Sequence, residues 1–183
     1  MDGNQAVVCD GTGDWSLIVS VCLTPKLRLT LQPLEIVESN MASQLEEQAF
    51  ALLRSRIPRF YVPNLKERKQ VLTWLGMSSK FVRSFDALQL NVEKFDDASG
   101  LADFSLIEIK VTEKELPRLN EDPTGFFFGM TDNEEMLLRI FEGKSSLCLV
   151  SVNPLSPGYF MLSWGDLQRL DLNKRIQYQI NIR

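Results

Sequence analysis

The nine residues Phe104-Ser-Leu-Ile-Glu-Ile-Lys-Val-Thr112 constrain this chain more than any other segment. They are mostly apolar on both sides, as expected of a strand covered on both faces of a sheet. Yet Glu108 and Lys110 stand in the middle of them. Side chains alternate along a strand, so these two share one face and Ile107, Ile109 and Val111 take the other. An isolated carboxylate or ammonium is costly in such a place unless it is paired, reaches water in a cleft or holds a metal.

The stretch before it repeats the anomaly. Asp86-Ala-Leu-Gln-Leu-Asn-Val-Glu93 alternates with the period of a half-buried strand, Leu88, Leu90 and Val92 to one side. Asp86 shares their parity and so points with the apolar side. The turn-forming run Asp96–Gly100 separates the two strands. A hairpin centred near Ser99 brings Asp86 beside the Lys110–Thr112 end of the second strand. Asp103 begins that same strand and cannot sit across a hairpin from Glu108.

Around these strands the pattern is helical. From Ser43, the residues Leu45, Ala49, Leu52, Leu53 and Ile57 recur at three- and four-residue spacings, until Pro58 and Pro63 end the helix. Glu46 falls within the apolar arc of this helix and Glu47 outside it. Asn64 is placed to cap a second helix, Leu65 to Leu75, with Val71, Leu72 and Leu75 inward and Gly76 stopping it. A short helical turn is expected over Ser78–Val82. Thr131 with Glu134 forms a capping box for a helix whose apolar stripe is Met136, Leu137, Ile140 and Phe141. Strands are expected at Ser146–Val152, Tyr159–Ser163 and Ile176–Ile182, with a short helix capped by Ser163 and Asp166 before the last. The order is α, α, β, β, α, β, β, short α, β, an α/β or α+β mixed sheet covered by helices.

Residues 1–40 show no sustained period. Met41 opens a stretch that looks like a protein start. One reading makes 1–40 an extension outside the native core, with the domain spanning 41–183. The other makes Ser16–Leu23 and Lys26–Leu31 a pair of short strands. The 183 residues otherwise suit one domain.

Composition narrows the chemistry. The chain has no histidine, which removes Ser-His-Asp and Cys-His hydrolases and most zinc sites. Cys9, Cys22 and Cys148 are too few and scattered for a disulfide framework, and Cys148 reads as a small buried hydrophobe. Hydrolysis here must run on carboxylates, lysine and a hard cation. The net charge of −4 argues against a protein that coats nucleic acid non-specifically, though not against a local basic face. Lys66, Arg68, Lys69, Lys80 and Arg83 form such a stretch, which reads either as a solvated helix face or as a seat for a phosphate backbone. Trp74 and Tyr61 read as core aromatics before base-stacking ones. Phe126–Phe128 reads as a core-anchored lead-in before a mobile gate. No apolar run approaches the roughly 20 residues of a membrane span, and the expected compartment is the cytoplasm.

An acid on one strand followed by acid-x-lysine on the next, behind a helix, resembles the PD-(D/E)xK superfamily of restriction-endonuclease-like nucleases. The matching residues are Asp86 in Ser84-Phe85-Asp86-Ala87 and Glu108-Ile109-Lys110. The likeness runs roughly from Ser43 to Val152, and no proline precedes Asp86. It implies a small bacterial member with a mixed sheet flanked by helices in an α-β-β-β-α-β core. It further implies Mg²⁺- or Mn²⁺-dependent phosphodiester hydrolysis in DNA, in restriction, defence or repair. Asp86, Glu108 and the Ile109 carbonyl would hold the metal, Lys110 would orient water, and Glu46 would assist. Double-strand cutting by so small a chain implies a homodimer. The alternative is a catalytically silent module of the same fold that binds nucleic acid or a protein partner.

Overall fold

Hydrophobic alternation in the strands and capping of the helices account for most of the architecture. The computed structural model describes residues 7–9, 15–17, 34–96 and 99–172. The chain divides into two compact units, Met1–Val37 and Glu38–Arg183. In the first, β1 (Val7–Cys9) and β2 (Trp15–Leu17) pair antiparallel, with Val8 opposite Ser16. Of the two strands expected in this region, Ser16–Leu23 is met only by its overlap with β2. The rest of that strand and Lys26–Leu31 lie outside the described residues, as does the strand expected at Ile176–Ile182.

The second unit is built on most of α1 (Leu34–Arg56), from Glu38 onward, and on β3 (Phe60–Tyr61), α2 (Leu65–Trp74), β4 (Ala87–Leu90), β5 (Phe104–Thr112), α3 (Asp132–Ile140), β6 (Ser145–Ser151), β7 (Gly158–Leu162) and α4 (Trp164–Arg169). The sheet order is β3-β4-β5-β6-β7. β3, β4 and β5 form an antiparallel meander, β6 lies parallel to β5 after the α3 crossover, and β7 is antiparallel to β6. This is an open mixed sheet with helices on both sides, an α/β architecture.

Two departures from the sequence expectation bear on the site. First, α1 begins at Leu34, nine residues before Ser43, and runs unbroken through Met41. Second, β3 was not expected. Pro58 and Arg59 turn the chain at the end of α1, with Arg59 in the left-handed region at φ 58°. The Arg59 carbonyl then accepts from Leu90 N–H, which starts the pairing of Phe60 with Gln89.

The faces of the sheet separate cleanly. Ala87, Ile107, Ile109, Cys148 and Val150 pack under Ala49, Leu53 and Ile57 of α1. Leu88, Leu90, Phe104 and Leu106 pack on the other face against Val71 and Leu72 of α2, Phe81, Phe85 and Leu137 of α3. Leu147, Leu149 and Leu162 continue that second face beneath Leu138 of α3 and Leu167 of α4. Each such fully buried side chain contributes about 1.5–3 kcal/mol of transfer free energy. Trp74 and Tyr61 are core aromatics: Trp74 packs on Phe95 and Phe104, and Tyr61 stacks on Phe95. Phe126 and Phe128 pack into the core while Phe127 between them is 72% exposed.

The anticipated caps, Asn64, Thr131 with Glu134 and Ser163 with Asp166, set the starts of α2, α3 and α4, and Glu67 completes a capping box with Asn64 that was not expected from the sequence. On α3 the expected stripe shifts. Leu137 and Leu138 are buried while Met136 and Ile140 are exposed. The helix straddles two core clusters, so adjacent positions rather than one stripe are covered. Among the described residues, no helix is long and apolar enough to cross a membrane.

Candidate functional site

β4 begins at Ala87, and Asp86 stands just before it. The Asp86 N–H donates to the Ile107 carbonyl at 2.8 Å. Its carboxylate then accepts from the Ile109 N–H at 2.9 Å. The side chain thus continues the ladder where the strand backbone has left it, satisfying an N–H that would otherwise lack a strand partner. Ala87 pairs with Ile107, the last pair of the β4–β5 ladder, and Asp86 reaches the same Ile107 through its N–H. The pairing is therefore centred at position 97 rather than at Ser99, and Asp86 meets the backbone of Ile107 and Ile109, short of the Lys110–Thr112 end. Asp103 is excluded as expected: its carboxylate accepts from Gly100 N–H in the connecting turn.

Glu108 and Lys110 share the face that carries Leu106, beneath α3. Lys110 Nζ lies 2.8 Å from Glu108 Oε1 and 2.9 Å from Glu134 Oε2. The same Glu134 oxygen accepts from Thr131 N–H at 2.9 Å in the α3 cap. Glu108 is only 9% exposed, and its Oε2 has no hydrogen-bond partner. Beside it lies a cavity of about 10 Å³ lined by Ser84, Phe85, Leu106, Glu108, Glu134 and Leu137, room for about one water.

These placements shift the ionisation of each group. Burial, then the neighbouring Asp86 charge, pushes Glu108 up to about 8, against the pull of Lys110. Burial also raises Asp86, although the Ile109 N–H and the Arg68 and Lys110 charges oppose it. Burial works to lower Lys110, but its two glutamate partners outweigh that and its pKa lies above the ordinary value. Glu46, exposed on α1, is raised by desolvation and then by Asp86, so it senses the same cluster.

Arg68 departs from its expected place on an open basic face. Its guanidinium donates to the carbonyls of Phe85 at 2.6 Å and Asp86 at 3.0 Å, and to that of Pro63 at 3.2 Å. It also lies over the Phe85 ring, 5.6 Å from its centre. It is spent on fixing the backbone that delivers Asp86. Lys66, Lys69, Lys80 and Arg83 remain exposed, with Lys80 Nζ 4.9 Å from the centre of the Phe81 ring.

Glu134 was not singled out from the sequence except as a cap. The signal was present: Leu137 and Leu138, three and four residues on, are both buried, so Glu134 lies on the covered side of α3. Among the described residues, no three His, Cys, Asp or Glu side chains gather closely enough to hold a metal ion. Any cation here would rest on two carboxylates and backbone oxygen. The fold and site together define an α/β domain whose central strand carries a buried acid–lysine pair facing a second acid. No family model matches the chain, and no curated protein or solved structure matches it either.

Proposed function

We propose that this protein is a divalent-cation-dependent nuclease of the restriction-endonuclease-like kind, acting on DNA phosphodiester bonds. The observation that carries the reading is the buried, unpartnered Glu108 Oε2 beside the Lys110 ammonium, with Asp86 close enough for its charge to raise Glu108. An orphaned carboxylate oxygen costs about 1–3 kcal/mol or more, and a hard cation is the partner its chemistry suits. The element order supports the same reading. With β3 included, α1, β3, β4, β5, α3 and β6 run α-β-β-β-α-β, and α2 is an insertion between β3 and β4.

Asp86 and Glu108 are the side chains that would hold Mg²⁺ or Mn²⁺. The Ile109 carbonyl is the backbone candidate, since a strand residue turns its N–H and C=O to the same edge and the Ile109 N–H already faces Asp86. Such a cation polarises a phosphate oxygen and lowers the pKa of water. Lys110 offsets charge developing on the phosphate and orients the attacking water. Glu46 adds negative potential at the α1 side, and Arg68 holds Asp86 in place. Lys66, Lys69, Lys80 and Arg83 supply the phosphate-facing charge.

The test is cleavage of supercoiled DNA with Mg²⁺ or Mn²⁺ and with EDTA. Cutting is expected only with the cations and is lost in Glu108→Ala and Lys110→Ala proteins that still fold. A Lys110→Ala protein that cuts as well as wild type refutes the assignment. A second reading, a silent binding module, is favoured by one observation: Lys110 is already engaged by two carboxylates. It predicts no cutting with any cation and no thermal stabilisation by Mn²⁺.

A further inference from the structure

The cluster contains a charge that the nuclease reading does not use. Glu134 lies on α3, 24 residues from Lys110 in sequence, yet its Oε2 accepts from Lys110 Nζ at 2.9 Å. That carboxylate is not free to swing, because the same oxygen accepts from Thr131 N–H, and the Thr131 hydroxyl accepts in turn from Glu134 N–H. Glu108, the other partner of Lys110, is also the residue whose remaining oxygen is unpartnered.

We infer that Glu134 is a positioning residue for Lys110, keeping the ammonium at the site when the oxygens of Glu108 are given to a cation. The inference rests on the cation-dependent reading of the site. A lysine has four rotatable carbons behind a point charge and no geometry of its own. Paired with Glu108 alone, it would lose its counter-charge to the incoming cation and be repelled by it. A second carboxylate anchored on another element holds it where it stands. Positioning of this sort acts on turnover more than on substrate binding.

Two substitutions at the same helix start separate this role from simple capping. Glu134→Gln keeps an oxygen that accepts from Thr131 N–H but removes the charge facing Lys110. Thr131→Ala removes the capping hydroxyl but leaves the Glu134–Lys110 pair. Single-turnover cleavage of supercoiled DNA with Mn²⁺ is measured beside thermal melting. Glu134→Gln is expected to melt near wild type, to lose about tenfold or more in maximal rate, and to bind DNA within about threefold of wild type. Thr131→Ala is expected to melt about 2–4 °C lower and cleave within about threefold. Cleavage by Glu134→Gln within threefold of wild type, or an equal loss in both variants, overturns the inference alone. A wild-type protein inert with every cation overturns the reading of the site and the role of Glu134 with it.

Discussion

Replacing Glu108 by Gln probes the electrostatics of the site without any substrate. Desolvation, with Asp86 adding to it, raises this carboxyl from 4.5 to about 8. The folded chain therefore keeps a proton that the unfolded chain releases from about pH 4.5 upward. Stability is lost as pH climbs through this window, the reverse of an ordinary ion-paired carboxylate. At about 1.4 kcal/mol per pH unit the window is worth roughly 5 kcal/mol. Local relaxation and water entry reduce the measurable part to about 2–4 kcal/mol. Glutamine keeps the shape and an acceptor oxygen for Lys110 but carries no charge. In EDTA, Glu108→Gln should melt about 4–16 °C above wild type at pH 8.5, at about 2–4 °C per kcal/mol for a chain of this size. At pH 5 the two should converge. Glu46 is raised as well and tilts both proteins alike, whereas Asp86 interacts with Glu108, so the difference between the curves reports Glu108 together with its interaction with Asp86. With Mn²⁺ at about a hundred times its dissociation constant, wild type should gain about 2.7 kcal/mol and the variant little. Differential scanning calorimetry across pH 5–8.5 reads all of this. Parallel curves for the two proteins in EDTA would refute the argument from burial.

Two further outcomes follow from the packing. Arg68→Met leaves the Phe85 and Asp86 carbonyls without their charged donor, which should cost about 2–4 kcal/mol in chemical denaturation and slow cleavage; unchanged stability would show that Arg68 is not the clamp described. Cys148, fully buried with its thiol raised to about 12 by burial, should resist a thiol reagent in the folded protein, as judged by mass spectrometry of its peptide, and react only as urea unfolds the chain. Fast labelling under native conditions would place it outside the core.

The parts of this architecture that were legible in sequence are those where a period runs long enough to be seen. β5 spans nine residues, and its alternation placed Glu108 and Lys110 on one face and Ile107, Ile109 and Val111 on the other. The Thr131–Glu134 and Ser163–Asp166 caps were equally readable, since each rests on two side chains at fixed spacing, and at α2 only the Asn64 half was. β3 was not, because two residues between Pro58 and Pro63 offer no period at all, and its existence depends on a left-handed Arg59 and on a partner strand almost thirty residues on. The start of α1 was hidden by reading Met41 as a beginning, although Pro33 just before Leu34 is itself a helix-start signal. Arg68 was misplaced for a different reason. Charge counting along a helix cannot tell a solvated guanidinium from one turned under onto backbone carbonyls.

The same distinction decides what the cluster asks for. Asp86, Glu108, Glu134 and Glu46 bring four carboxyls into one electrostatic neighbourhood, and Lys110 and Arg68 bring two cations. Arg68 is committed to backbone carbonyls, and Lys110 already divides itself between two acids. Glu46 is exposed, but ionised Asp86, Glu108 and Glu134 would leave Glu108 charged in a place with little water, which is unfavourable. The upward shift of Glu108 is the response when only a proton is at hand. In the proposed nuclease a divalent cation would meet the same deficit and give the unpartnered oxygen a ligand, so proton and metal would compete for one carboxylate and binding would release the proton.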